Sequence, residues 1–156
     1  MLEDKTIEKI RQAMTCYPNK QSVCMSALRF AQMDDADNHL TREAMEEIAY
    51  ILDIEPIKVH EVAAFYSMYN LKPVGRYHVQ VCANLPCSLL GAEHILRYIE
   101  EMLNIKVGET TPDKKFTLST VECLGSCGTA PMMMVNLDYY EDLTEDRVKD
   151  ILGGLQ

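Results

Sequence analysis

Hydrophobic positions along the first seventy residues recur at helical spacing. Ile7, Ile10 and Met14 fall on one face of a short first helix. The stretch NKQSVCMSALRFAQM, residues 19–33, repeats the pattern through Val23, Ala27, Phe30 and Ala31. Thr41 is placed to cap REAMEEIAYIL, with Met45, Ile48, Ala49 and Leu52 facing inward. Pro56 suits the first turn of a fourth helix that carries Val59, Val62, Ala63 and Tyr66. No long alternation of β-branched residues interrupts these four helices.

The pattern changes at NLKPVG, residues 70–75, where Pro73 and Gly75 fit a turn. This stretch divides the chain into a helical bundle, 1–72, and a second domain, 73–156. In RYHVQVC, Tyr77, Val79 and Val81 alternate with polar neighbours, which predicts a strand ending at Cys82, with His78 facing solvent. An apolar stripe through Leu89, Ala92, Leu96, Ile99 and Leu103 predicts one helix over 87–103, opened by Cys87. FTLSTVE, 116–122, reads as a second strand ending at Cys123, and MMMVN, 132–136, as a third whose methionines alternate faces. Thr144 can cap a last helix, with Glu145 and Asp146 suited to its dipole. Tyr139 and Tyr140 read as packing residues. The order is four helices, then β-α-β-β-α. The fold class is α+β, and both cysteine pairs fall where strands end, on loops carried by a rigid scaffold.

Composition narrows the function classes. Apolar residues make up 47% of the 156, enough for packed cores. The formal charge of −9 argues against a nucleic-acid partner. No apolar run approaches the ~20 residues that span a bilayer, so no membrane insertion is expected. The charged opening MLEDKTIEKI has neither a secretory h-region nor the acid-poor pattern of a transit peptide, and a cytoplasmic location follows as the expectation. No G-x-G-x-x-G and no P-loop occurs, so this chain itself is expected to bind neither NADH nor flavin nor any small-molecule substrate. The four histidines, His39, His60, His78 and His94, show no metal-binding spacing.

The candidate chemistry lies in the cysteines. Of six, Cys16 and Cys24 sit in the helical half and read as structural thiols. The other four form C-x4-C at Cys82 and Cys87, then, 35 residues on, C-x3-C at Cys123 and Cys127. A reducing compartment disfavours disulfides. Neither pair has the C-x-x-C spacing of thiol exchange. Leu90 stands where a plant-type ferredoxin needs a cysteine. Zinc knuckles are tighter than either pair, though a four-cysteine zinc site stays open. A two-iron, two-sulfide cluster suits the setting. Such a cluster on four thiolates carries two negative charges, and three after reduction. A helix opening at Cys87, close approach at Gly125 and Gly128, and uncharged ANLP and LGS segments would all favour it. Glu122 is the one nearby acid.

The segments VCANLPCSLLGA, ECLGSCGTAPMMMVN and YYEDLT resemble the thioredoxin-like 2Fe–2S ferredoxin subunit of respiratory complex I, the partner of the NADH-oxidising flavoprotein. PVGRYHVQVC, IKVGETTPDKKFTL and EVAAFYSMY extend the likeness over nearly the whole chain. The resemblance implies a thioredoxin-like second domain and one 2Fe–2S cluster held by Cys82, Cys87, Cys123 and Cys127. It implies a one-electron carrier with no catalytic residue of its own, working with the flavin- and NADH-binding subunit on the peripheral arm of a membrane-associated complex. The N-terminal helices would dock on that subunit. The same family serves NAD-linked hydrogenases and formate dehydrogenases. Ala83, Asn84 and Leu85 depart from the Thr-rich first loop common in the family, which places potential tuning there. Thioredoxin-like folds often carry a cis-proline beside the site, which draws attention to Pro131.

Overall fold

The computed structural model describes residues 1–155, and contacts divide them into two compact units, Met1–Val74 and the chain from Gly75 onward. Within the first unit, α1 (Asp4–Met14), α2 (Cys24–Asp34), α3 (Arg42–Leu52) and α4 (Pro56–Phe65) enclose one apolar core. Ile10, Leu28, Ile48, Leu52 and Val59 are wholly buried there. Each such side chain contributes about 1.5–3 kcal/mol by leaving water. The ends of the helices follow local chemistry. The Thr41 hydroxyl accepts the Ala44 N–H at 3.1 Å, and Pro56 occupies the first turn of α4.

One expectation fails at the end of α4. Tyr66 lies past the helix and is exposed, whereas Val62 is half-buried and packs on the core. Tyr69 takes the inward place instead, its hydroxyl donating to the Met25 carbonyl at 2.8 Å. The helix stops at Phe65, so the helical period that pointed Tyr66 inward no longer applies. Cys24 is buried, whereas Cys16 is exposed.

The second unit holds a four-stranded sheet in the order β2-β1-β3-β4, with β1 Tyr77–Cys82, β2 Phe116–Val121, β3 Met133–Val135 and β4 Asp138–Tyr140. β1 and β2 run parallel, in a register that sets Tyr77 beside Phe116 and Cys82 beside Val121. The other pairings are antiparallel. Parallel neighbours need a crossover, supplied by α5 (Leu85–Leu89) and α6 (Ala92–Leu103). With α7 (Glu145–Gly154), these enclose a core of Val79, Val81, Ile95, Ile99, Leu118, Met132, Met133 and Val148. The fold is α+β, with the helices first, as the hydrophobic pattern implies.

Here too the structure corrects details. The single helix expected over 87–103 is two, separated at Gly91, whose φ of +97° favours glycine. Helix α5 starts at Leu85, with Asn84 as its cap, so Cys87 lies inside a five-residue helix rather than opening a long one. Leu89, expected inward, is exposed, since the helical period that aligned it with Ala92 and Leu96 does not run across the break at Gly91. Strand β4 forms where the sequence pattern points only to packing tyrosines. Tyr140 does pack on the core, but Tyr139 is exposed. A three-residue strand is too short to show an alternation.

His78 is buried, not solvent-facing. Because β1 is an interior strand, its outward positions are shielded too, and the ring Nε2 lies 2.8 Å from Ser119 Oγ. Burial disfavours the imidazolium and lowers its pKa to about 4. A depressed histidine pKa means the unfolded chain binds the proton more readily. The stabilising contribution is therefore complete above the unfolded value near 6.5 and is lost as pH falls from there towards 4. A shift of that size corresponds to roughly 3 kcal/mol. We predict that denaturant unfolding will show stability falling between pH 6.5 and 4, and that His78→Gln will flatten that slope. An unchanged slope in the variant would assign the acid sensitivity elsewhere.

Candidate metal centre

Because β1 and β2 are parallel and in register, both carry the chain to the same end of the sheet. Open α/β sheets place ligands outside the carboxyl ends of their strands. Cys82 is the last residue of β1, and Cys123 follows β2 by two residues. The Ala83 N–H continues the ladder to the Val121 carbonyl at 2.9 Å, and the Cys82 N–H donates to the Met132 carbonyl at 3.2 Å. Cys82 is thereby fixed between the two loops. Its thiol also points to the Glu122 carbonyl, 3.9 Å away.

The structure brings the four sequence-predicted thiols to one locality, with unequal exposure. Cys82 and Cys87 are buried, and Cys123 and Cys127 are exposed. The Cys82 thiol interacts with those of both Cys87 and Cys123, and Cys127 acts electrostatically on Cys87. Burial raises the Cys87 pKa to about 11, with the neighbouring Cys82 adding to the shift. Burial also opposes ionisation of Cys82, but the backbone groups of Asn84 and Leu124 outweigh it, with the thiols of Cys87 and Cys123, and its pKa is lowered. Cys82 is thus the easier of the two to ionise and Cys87 the harder. Among the described residues, no three His, Cys, Asp or Glu side chains gather around a point that one metal ion could occupy.

The positive field comes from backbone amides rather than from a long helix. Asn84 and Leu124 act on Cys82, Met132 acts on Cys87, and the Gly125 N–H donates to Cys123 Sγ at 3.3 Å. The helical dipole expected at Cys87 is reduced to that of a five-residue α5. Gly125, at φ +80°, supplies the left-handed turn that aims its amide at Cys123. Gly128 has no such requirement and lies in the 3-10 turn Cys127–Thr129. The Ala130–Pro131 peptide is cis. Glu122 is exposed.

Sequence reasoning misses the support of the second loop. The Glu141 carboxylate accepts from the hydroxyls of both Ser126 and Thr129, the latter at 2.7 Å. Those two hydroxyls hold its pKa below the usual carboxylate value, against the opposing effect of burial, with Arg147 helping. The Asp142 N–H donates to the Thr129 carbonyl at 2.7 Å and the Leu143 N–H to the Pro131 carbonyl at 3.0 Å. YYEDLT is recognisable as a motif, but nothing in its spacing ties it to a loop twelve residues or more upstream.

The mixed sheet, its crossover helices and the four cysteines gathered beyond one end of β1 and β2 are those of a thioredoxin-like domain. The chain belongs to the family described as thioredoxin-like [2Fe-2S] ferredoxin, which it matches over residues 10–156. Membership of that family implies a 2Fe–2S cluster as cofactor. The chain is 45% identical over 149 residues to a subunit of the NADH-quinone oxidoreductase of Rhizobium meliloti, covering 96% of this chain and 88% of that protein. It is 42% identical over 156 residues to an NADH-quinone oxidoreductase subunit of Rickettsia conorii, covering 99% and 93%. Against NADH dehydrogenase [ubiquinone] flavoprotein 2, mitochondrial, of Dictyostelium discoideum, identity is 41% over 97% of this chain and 62% of that protein. Among solved structures, an NAD+-reducing [NiFe]-hydrogenase in the H2-reduced state aligns with a TM-score of 0.74 at 20% identity. That alignment covers 85% of this chain and 22% of the hydrogenase chain, and it shows the fold alone. Among the described residues, no helix is long and apolar enough to cross a membrane.

The difference in exposure predicts a partition of reactivity. In the metal-free chain at neutral pH, Cys16, Cys123 and Cys127 will alkylate first, and Cys24, Cys82 and Cys87 only after unfolding. Mass mapping after a short iodoacetamide pulse reads the result. Early labelling of Cys82 or Cys87 would contradict the burial described.

Proposed function

We propose that this chain is a one-electron carrier that holds a single 2Fe–2S cluster on Cys82, Cys87, Cys123 and Cys127 and works within an NADH:quinone oxidoreductase. The observation that carries the reading is the convergence of two cysteine loops at the carboxyl ends of parallel strands, surrounded by backbone N–H groups. Family membership and the names of the full-length relatives support it.

A 2Fe–2S cluster supplies one-electron transfer between donors and acceptors that need not touch. The chain's own residues hold and insulate it. Cys82 and Cys87 would form the buried side, Cys123 and Cys127 the side nearer solvent. The amides of Asn84, Leu124, Gly125 and Met132 stabilise sulfur's negative charge without any lysine or arginine on the two loops. Met132, wholly buried, and Pro131, buried beside it, exclude water from beneath the site. No acid–base or nucleophilic step by this chain is required.

The electron partner in this reading is the flavin- and NADH-binding subunit of the same complex. The first unit, 1–72 in the sequence division, would dock there. Its exposed Tyr50, Ile57, Phe65 and Met68 are suited to becoming buried.

Replacement of Cys123 by Ser should abolish or strongly reduce bound iron and the visible sulfide-to-iron absorption, whereas Cys16→Ser should leave both unchanged. Equal damage from both would overturn the ligand set. One tightly held zinc in a colourless preparation would overturn the cluster. Tagged chain should also recover a flavoprotein from its own cells, and recovery of the intact complex without one would sink the partner assignment.

A further inference from the structure

Two side chains of the second cysteine loop converge on a single carboxylate oxygen. Both the Ser126 and Thr129 hydroxyls, which flank Cys127, donate to Oε1 of Glu141. The same two hydroxyls contact each other at 2.9 Å, and Thr129 also reaches the Ser126 carbonyl at 3.2 Å. Two backbone bonds, from Asp142 to Thr129 and from Leu143 to Pro131, run the 141–143 segment alongside the loop. Glu141 therefore anchors the turn that carries Cys127. Cys82 has the β1 ladder and Cys87 has α5, whereas Cys127 lies in a three-residue turn and is exposed.

The choice of a carboxylate is informative. Hydrogen bonds from two hydroxyls to one oxygen could be accepted by the neutral amide of glutamine. Residues 123–131 contain no charged side chain, so the loop is otherwise free of fixed charge. A carboxylate placed against it adds a negative charge beside a group that is already anionic and becomes more so on reduction.

We propose that Glu141 is a positioning residue for Cys127 and that its charge holds the reduction potential of the cluster down, an inference that rests on the ligand set proposed above. Ser126 and Thr129 transmit the positioning. The field acts directly through space.

Two substitutions in the full chain separate the two effects. Glu141→Gln keeps an Oε1 acceptor and removes the charge, and Glu141→Ala removes both. Hydrogen exchange over residues 124–130, iron loss to a chelator, and a redox titration followed by EPR are the readouts. Glu141→Ala should speed exchange in that segment and hasten iron loss by about 10–100-fold. Glu141→Gln should keep near-native exchange and iron retention but titrate at a higher potential. Native exchange and native iron retention in Glu141→Ala would overturn the positioning role. A potential in Glu141→Gln equal to that of the parent would overturn the tuning role. If the parent chain carries no cluster, the ligand set fails and the tuning role fails with it. Exchange in the metal-free Glu141→Ala chain then still decides the positioning role.

Discussion

The parallel pairing of β1 with β2 is the constraint on which the site depends. Had these strands been antiparallel, Cys82 and Cys123 would leave opposite ends of the sheet and never meet. Parallel pairing demands a crossover, and α5 and α6 provide it. The first turn of that crossover carries Cys87 back over the strand end. Two ligand candidates therefore come from one βα junction. The other two come from the loop that leaves β2. The register that sets Cys82 beside Val121 determines how far apart the two loops begin. The Cys82 N–H bond to Met132 then ties the return of the second loop to the first.

The chain carries a net charge of −9, yet it gathers four sulfurs that must become thiolates to bind metal. Neutralising them with lysine or arginine would give long, mobile side chains. Backbone amides are fixed by the fold and need no reorganisation when the charge changes. That is the advantage of a loop with Gly125 at positive φ over a loop with a cation. The contrast between Cys82, easier to ionise than a free thiol, and Cys87, harder, has the same origin. Amides reach the first from two residues, while burial dominates at the second.

Much of this is legible in the sequence, for physical reasons that differ by element. Thr41, Pro56 and Thr144 announce helix starts because capping is a local matter of side-chain oxygen and backbone N–H. Val79, Val81 and Leu118 show themselves by alternation. The failures fall where tertiary structure overrides local pattern. His78 alternates like a solvent-facing residue, but β1 has a neighbour on each side. The stripe from Leu89 to Leu103 hides the break at Gly91, since a glycine tolerated in a helix looks the same as one that ends it. The amides of Asn84, Leu124 and Met132 leave no trace in side-chain identity. Glu141 is visible as a residue but not as a partner of Ser126, since the contact depends on how β4 returns.

The two cysteine loops differ in what supports them, and that difference assigns them different physical roles. In the first, Cys82 and Cys87 are buried at the end of β1 and in α5, while Ala83 and Leu85 between them are exposed and Asn84 caps the helix. Packing therefore sets the surroundings of the two sulfurs, not of the exposed residues between them. The second is exposed and held by hydroxyls, a carboxylate and two backbone bonds. Polar contacts of this kind are more adjustable than packing, since a single side chain alters them while the core stays intact. On the proposed ligand set, the exposed loop also offers the shorter path to solvent and to any approaching partner. On that ligand set, Glu141 and the hydroxyls of the second loop join the Ala83-Asn84-Leu85 sequence of the first as places where one side chain can alter the surroundings of the sulfurs while the core stays intact.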